Sequence, residues 1–277
     1  MVAADPIPAV REDAAAGTTA AIFADLRATL GVPFVNLIWR HLATMPGILE
    51  WAWALVKPLQ ASHELREGAN ALRASVVVPD CARQPSSVYD AVGVSAADRG
   101  VIAAMLRDYN AANASNLLSL LVTQSVLAGQ SGQPRPVTLV SLRQQVRPAL
   151  PRLLGLDELS PATLALVLEL DKFGRFASTQ AVASLYRHLA HWPGFLAVVH
   201  AALSESHRNG RLRAEHARMR DRARKLAVDQ ILPFASAPGL PEASASQAAQ
   251  ASLQIFTSEM IARMVVLGEL MLAMLPE

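Results

Sequence analysis

The sequence lacks the residues that mark several common classes of functional site. It has a single cysteine, Cys81, so it cannot form an internal disulfide. Its seven histidines show neither the HExxH motif nor the paired spacing of a metal site, and we predict no metal ion and no organic cofactor. The GxSxG turn of serine hydrolases and the glycine-rich phosphate loop are also missing. These absences argue against a disulfide scaffold, a metalloenzyme and a nucleotide-binding protein.

Aromatic residues and long uncharged apolar segments are also scarce. Aromatics make up 5% of the chain, although 52% of its residues are hydrophobic, and this balance favours helices over sheets. Each long apolar stretch is interrupted by charge, as by Arg40 and Glu50, so none approaches the roughly 20 residues of a membrane span. The first residues show no basic segment followed by an apolar one. We therefore expect a cytoplasmic protein with no membrane partner.

Positive charge is concentrated in one segment. The formal net charge is only +2, yet residues 208–225 carry eight basic and two acidic side chains. That segment contains no Phe, Tyr or Trp on which a base could stack, so we expect no nucleic-acid partner. A solvated helix face is the simpler interpretation, and attraction of an anionic substrate is the alternative.

The strongest positive signal is an internal repeat. The string RHLATMPGIL at 40–49 returns as RHLAHWPGFL at 187–196, with seven of ten residues identical and an offset of 147 residues. The same offset aligns Trp39 with Tyr186, and Tyr109 with Phe256. A duplicated helical unit predicts an all-α pseudo-dimer of two repeats with a ligand crevice between them.

The boundary between the repeats is predicted at a linker. Five of the eight residues of GQSGQPRP at 129–136 are Gly, Pro or Ser, so we assign residues 1–130 to the first helical repeat and 131–277 to the second. Because the duplication already supplies one dimer-like interface, the chain is expected to be a monomer or a homodimer. In each repeat the Pro-Gly pair predicts a corner between two helices.

Three asparagines interrupt the apolar stripe of a long helix predicted to begin near Ser95. They are Asn110, Asn113 and Asn116. One interpretation is that they bond each other or a facing helix, because an unsatisfied buried amide costs roughly 1–3 kcal/mol. The other is that one of them holds a polar substrate or an attacking water in the crevice. A general base is expected to be a histidine or one of the carboxylates of the second repeat, Asp157, Glu158, Glu169 and Asp171.

The repeat strings with their flanks, VPFVNLIWRHLATMPG and VASLYRHLAHWPG, together with Tyr109-Asn110, resemble the DehI-type 2-haloacid dehalogenases. The resemblance spans nearly the whole chain. It implies an all-helical pair of repeats in which a carboxylate activates a water that attacks C2 of a small haloacid of either configuration. It also implies that Asn110 orients the water. Phe34 and Leu37 correspond to the aromatic wall of the pocket, and Ala183 and Ser184 to the pair that precedes the catalytic aspartate.

At the next position the sequence departs from that family, since Leu185 stands where active members have their aspartate. Leucine cannot accept a proton, and a general base contributes roughly 10²–10⁴-fold in rate. His188, one turn further, is a possible substitute. Two functions therefore remain open: a hydrolase that removes halide from a small 2-haloalkanoic acid, and a relative that binds a small organic acid or catalyses a different reaction.

Overall fold

The structure is a computed structural model that describes residues 7–78, 83–131, 134–140, 149–177 and 181–276. Cys81 lies outside these ranges. The described residues form mainly α-helices, and their only β-type pairing is one isolated bridge between Ser62 and Leu139. The predicted all-α fold class is therefore confirmed. None of the helices in the described ranges combines the length and the apolar character needed to cross a membrane.

The α-helices of the first half are α1 (Gly17–Leu30), α2 (Leu37–Leu42), α3 (Ile48–Gln60), α4 (His63–Ala74), α5 (Ser86–Ala91) and α6 (Ala96–Leu127). Those of the second half are α7 (Pro161–Leu170), α8 (Ser184–Leu189), α9 (Pro193–Arg208), α10 (Arg211–Leu226), α11 (Ala243–Ile255) and α12 (Ala262–Met274). A π-helical turn, Phe256–Ile261, joins α11 to α12.

The helix bounds repeat with the offset found in the sequence. Helix α8 begins and ends 147 residues after α2. Helix α6 runs from Ala96 to Leu127, and the continuous segment from the start of α11 to the end of α12 runs from Ala243 to Met274, again 147 residues later at both ends. This recurrence supports two homologous halves. Their pseudo-twofold packing and the boundary after residue 130 remain predictions.

Local sequence signals explain where several of these helices begin. The Ser95 side chain accepts a hydrogen bond from the Asp98 backbone N–H at 3.1 Å, and the Asp98 carboxylate accepts one from the Ser95 backbone N–H at 2.9 Å. This capping box satisfies two backbone donors that the first turn of α6 leaves without partners. At the first predicted corner Gly47 adopts a φ of +73° directly before α3, a conformation that favours glycine.

Helix α6 occupies the centre of the molecule, packed against α3, α4, α11 and α12. It packs tightly against α12 at Gly268, where an added Cβ would lie 2.0 Å from Asn110 Oδ1. Asn110 is completely buried, and neither atom of its amide has a hydrogen-bond partner among the described residues. The missing side chain at Gly268 therefore provides the space that the Asn110 amide fills.

Gly268→Ala is expected to lower the free energy of unfolding by roughly 1–3 kcal/mol, because the added methyl group overpacks the α6–α12 contact. Adding Asn110→Ala is expected to restore most of this loss, which urea unfolding of both single variants and the double variant will measure. Gly100→Ala is the matched control, since that helical glycine has open space around it and alanine is favoured by up to about 1 kcal/mol. Equal effects of the two glycine substitutions would contradict the close contact.

Candidate functional site

A small cavity lies where the two halves meet. Its volume is about 40 Å³, several times the roughly 10–15 Å³ that one water molecule needs. The lining comes from the start of α2, the middle of α6, the start of α8 and the segment around the π-helical turn. It consists of Asn36, Leu37, Ile38, Tyr109, Asn113, Ala183, Ser184, Leu185, Phe256, Met260, Ile261 and Met264.

Most lining positions form pairs that are 147 residues apart. The pairs are Asn36 with Ala183, Leu37 with Ser184, Ile38 with Leu185, Tyr109 with Phe256, and Asn113 with Met260. In four of the five pairs the second-half member is apolar, and Ser184 is the exception. The first half therefore supplies most of the hydrogen-bonding groups, and the second half supplies most of the apolar wall.

The second-half wall has an altered helical geometry. Residues 256–261 form a π-helical turn, whereas the residues 147 positions earlier belong to the regular α-helix α6. A π-helical turn is wider than an α-helical turn, and such turns are frequent at functional sites. Here the turn contributes both Met260 and the adjacent Ile261 to the lining.

The asparagines of α6 have three different environments. Asn116 Oδ1 accepts hydrogen bonds from Trp39 Nε1 at 3.1 Å and from Gln60 Nε2 at 3.3 Å, so this amide joins α6 to its neighbours. Asn113 Oδ1 accepts a hydrogen bond from Asn36 Nδ2 at 3.3 Å at the cavity. Asn36 Oδ1 is buried and has no hydrogen-bond partner among the described residues. Asn36 and Asn113 are thus the amides available to a molecule in the cavity.

Ser184 links the cavity to the positively charged side chain of Arg40. The buried guanidinium of Arg40 donates hydrogen bonds to the Ser184 hydroxyl oxygen and to the Val35 carbonyl oxygen, both at 3.2 Å. Because Arg40 donates to the hydroxyl oxygen, the Ser184 O–H remains able to donate to a bound ligand. A hydroxyl donor supported by a cation is suited to an anionic group such as a carboxylate.

Tyr109 and His188 form a buried hydrogen-bonded pair beside the cavity. Tyr109 Oη lies 2.7 Å from His188 Nδ1, and the Phe34 ring stacks on Tyr109 with centroids 4.1 Å apart. Burial, together with the nearby His191, Arg187 and Arg40, lowers the pKa of His188 to about 4. Burial also raises the pKa of Tyr109 well above its ordinary value. At neutral pH the imidazole is therefore uncharged, and a hydrogen bond joins the Tyr109 hydroxyl to Nδ1.

The structure brings most of the predicted site residues together. Leu37, Ala183, Ser184 and Leu185 line the cavity, whereas Phe34 lies behind Tyr109. Asn110 is not part of the lining, and the long-helix asparagine that the structure places there is Asn113. Helical geometry explains the difference. Tyr109 and Asn113 are four residues apart and share a face, while Asn110 is turned by about 100° toward α12.

The predicted candidates for a carboxylate base lie elsewhere. Asp171 is buried and paired with Arg175 and Arg263. Glu169 pairs with Lys172, and Glu158 with Arg152, both as exposed pairs. Asp157 lines a separate surface groove. No carboxylate is found among the cavity-lining residues of the described chain. His188 contacts the cavity residue Tyr109. The sequence indicates His188 only as a substitute base and does not predict its hydrogen bond with Tyr109.

These features define an all-α protein with a small, mainly apolar cavity that carries an anion-compatible hydroxyl and two amides. The family model described as halocarboxylic acid dehydrogenase DehI matches residues 33–186. Since that match covers more than half of the chain, the chain belongs to the DehI family. The resemblance identified from the repeat strings is thereby confirmed.

Individual relatives agree with this family. The (R)-2-haloacid dehalogenase of Pseudomonas putida is 44% identical over 55 residues, a segment that spans 20% of this chain and 18% of that protein. A crystal structure of a D-2-haloacid dehalogenase mutant has a TM-score of 0.78 at 22% identity and covers 95% of this chain and 94% of its own. A complex of D-2-haloacid dehalogenase with L-LA has a TM-score of 0.79 at 21% identity, covering 96% and 94%. The two structures show a shared fold.

Proposed function

We propose that this protein hydrolyses a small 2-haloalkanoic acid, releasing halide by direct attack of a water molecule on C2. Family membership supports this class of reaction, as does the complex of a structural neighbour with L-LA. The observation that carries the proposal is the contact of Arg40 with Ser184 at the edge of an otherwise largely apolar cavity. A carboxylate needs such a charge-supported donor, while the alkyl group and the halogen need an apolar surface.

The remaining polar groups of the cavity suit the attacking water. Asn36 Oδ1, a buried acceptor without a partner among the described residues, can accept a hydrogen bond from that water. Asn113 Oδ1 is bound to Asn36, and this contact orients both amides. We therefore assign to Asn113, together with Asn36, the water-orienting role that the sequence assigned to Asn110. The small volume restricts the substrate to short acids.

The apolar part of the cavity accommodates the rest of the substrate. Leu37, Leu185 and Phe256 present only carbon atoms to a ligand, and Phe34 supports this wall through Tyr109. In the reaction the C2–oxygen bond forms and the C2–halogen bond breaks, with the electron pair leaving on halide. The water must also lose a proton, and Leu185 cannot accept it.

Halide release from both enantiomers of 2-chloropropionate tests the proposal. We expect release above a buffer blank from the folded wild-type protein. Ser184→Ala is expected to raise KM about ten- to hundredfold, the effect of losing a hydrogen bond to a charged group. Ser204→Ala is the matched control, because Ser204 bonds to the His200 carbonyl oxygen and is not part of the cavity lining. An equal change in KM for both variants would contradict the assigned role of Ser184.

A second function is favoured by one specific observation, the leucine at position 185 in the cavity wall. A relative that retains the cavity without a carboxylate base can bind a small organic acid and release no halide. Wild-type protein that binds 2-chloropropionate in a calorimetric titration, yet releases no halide, would support this second function and overturn the first.

A further inference from the structure

We propose that Tyr109 and His188 together accept the proton of the attacking water, in place of the aspartate that position 185 lacks. This inference rests on the proposed hydrolytic function. Tyr109 lines the cavity, and its hydroxyl lies 2.7 Å from His188 Nδ1. The pair therefore provides a hydrogen-bonded path from the cavity to a buried imidazole.

The equivalent contact in the other half shows what is special about this pair. His41 and Phe256, which stand 147 residues from His188 and Tyr109, have ring centroids 5.6 Å apart, against 5.7 Å for Tyr109 and His188. Both contacts join a histidine of one half to an aromatic ring of the other. Only Tyr109 has a hydroxyl, so only this copy of the contact can carry a proton.

The two histidines also differ in their other hydrogen bonds. His41 uses both ring nitrogens, with the Pro8 carbonyl oxygen at 2.7 Å and Ser252 Oγ at 3.0 Å. His188 bonds through Nδ1 to the Tyr109 hydroxyl. His41 is thus fixed by its backbone and serine partners, whereas His188 has the tyrosine hydroxyl as its partner.

Burial and neighbouring charges set the basicity of His188. Burial is the largest cause, and together with His191, Arg187 and Arg40 it lowers the pKa of His188 to about 4. At neutral pH His188 is therefore unprotonated and able to accept a proton.

The proposed step balances without another reactant. Water oxygen bonds to C2 as halide departs, and a water proton passes to Tyr109 Oη while the proton of Tyr109 passes to His188 Nδ1. The products are the 2-hydroxy acid, halide and an imidazolium, and the tyrosine remains neutral throughout. The imidazolium gives its proton to solvent before the next turnover. Phe34, stacked on Tyr109, fixes the phenol ring in this position.

Halide release by Tyr109→Phe and His188→Gln tests the relay. Each variant is expected to lose roughly 10²–10⁴-fold in kcat, with the calorimetric Kd for 2-chloropropionate nearly unchanged. Tyr109→Phe reproduces the residue that the second half has at Phe256. His41→Gln is the matched control and is expected to leave kcat within a few-fold of wild type, because its ring has no hydroxyl partner on Phe256.

A proton inventory in mixtures of light and heavy water adds a measurement on the wild-type protein. Two protons move in the proposed step, so a plot of kcat against the deuterium fraction is expected to fall along a quadratic curve rather than a straight line. Two results would overturn the relay and leave the proposed function intact. One is a Tyr109→Phe variant that releases halide with the kcat of the wild type, and the other is a wild-type kcat that falls linearly with the deuterium fraction. Wild-type protein that releases no halide would overturn the proposed function and the relay with it.

Discussion

Leu185→Asp is expected to restore halide release to the Tyr109→Phe variant, by roughly 10²–10⁴-fold in kcat. Leu185 is buried in the cavity wall, one residue after Ser184. A carboxylate introduced there is positioned to take a proton from water in the same cavity that the phenol ring borders. The Arg40 guanidinium, which contacts Ser184, helps to stabilise the added negative charge. Initial rates of chloride release at neutral pH measure the effect.

Leu185→Asn in the same Tyr109→Phe background is the matched control. Asparagine resembles aspartate in shape but cannot serve as a base, so it is expected to leave the rate low. Circular dichroism confirms that each protein is folded, because placing a charge in the wall carries a stability cost. Equal rates for the two double variants would refute a base role at position 185. Turnover that appears only when the aspartate is added to the otherwise wild-type chain would instead favour the ligand-binding relative.

Asp171→Asn is expected to lower the free energy of unfolding by roughly 3–5 kcal/mol, the largest stability effect that we predict. Asp171 Oδ1 lies 3.0 Å from Arg263 Nη2, and its side chain also pairs with Arg175. Arg263 is only 1% exposed, and burial lowers its pKa from the ordinary arginine value. Removing the carboxylate therefore leaves a guanidinium in the protein interior without its counter-ion. The midpoint and slope of urea unfolding give the free energy.

Asp229→Asn is the control for this measurement. The Lys225–Asp229 pair has a similar N–O distance, 2.6 Å, but both side chains are at least half exposed. Exposed pairs contribute about 0–1 kcal/mol, so this substitution is expected to have little effect. Equal losses of unfolding free energy for the two substitutions would contradict a special contribution of the buried Asp171–Arg263 pair. Because Arg263 precedes the cavity residue Met264, the buried pair also helps to fix one wall of the cavity.

The sequence predicted the helical framework well because its signals are local. Ser95 with Asp98 marked the start of α6, and the repeated Pro-Gly marked the corners before α3 and α9. The repeated string predicted that two helices 147 residues apart, α2 and α8, would match, and they match to the residue. Such signals extend over a few positions and require no knowledge of how distant segments meet.

The site was less predictable because its defining contacts join distant segments. A helical stripe that contains three asparagines does not fix which of them faces a partner, since successive asparagines, three residues apart, differ by only about 60° around the helix axis. The structure places Asn113 at the cavity and turns Asn110 toward Gly268. The contact between Tyr109 and His188 spans 79 residues and crosses from one half to the other. The sequence carries no local pattern for that contact.

The paired lining has a consequence for how such a pocket can evolve. If two identical chains enclosed the cavity, each of the five matched positions would carry the same side chain twice, and both walls would offer the same chemistry. In a single chain with two copies of the unit, the residues of each wall can change independently. Asn113 can therefore bind a polar atom, while Met260, the matching residue 147 positions later, contacts carbon. A chiral acid with one charged end and one apolar end needs two chemically different walls, and two identical chains related by exact symmetry could not provide them.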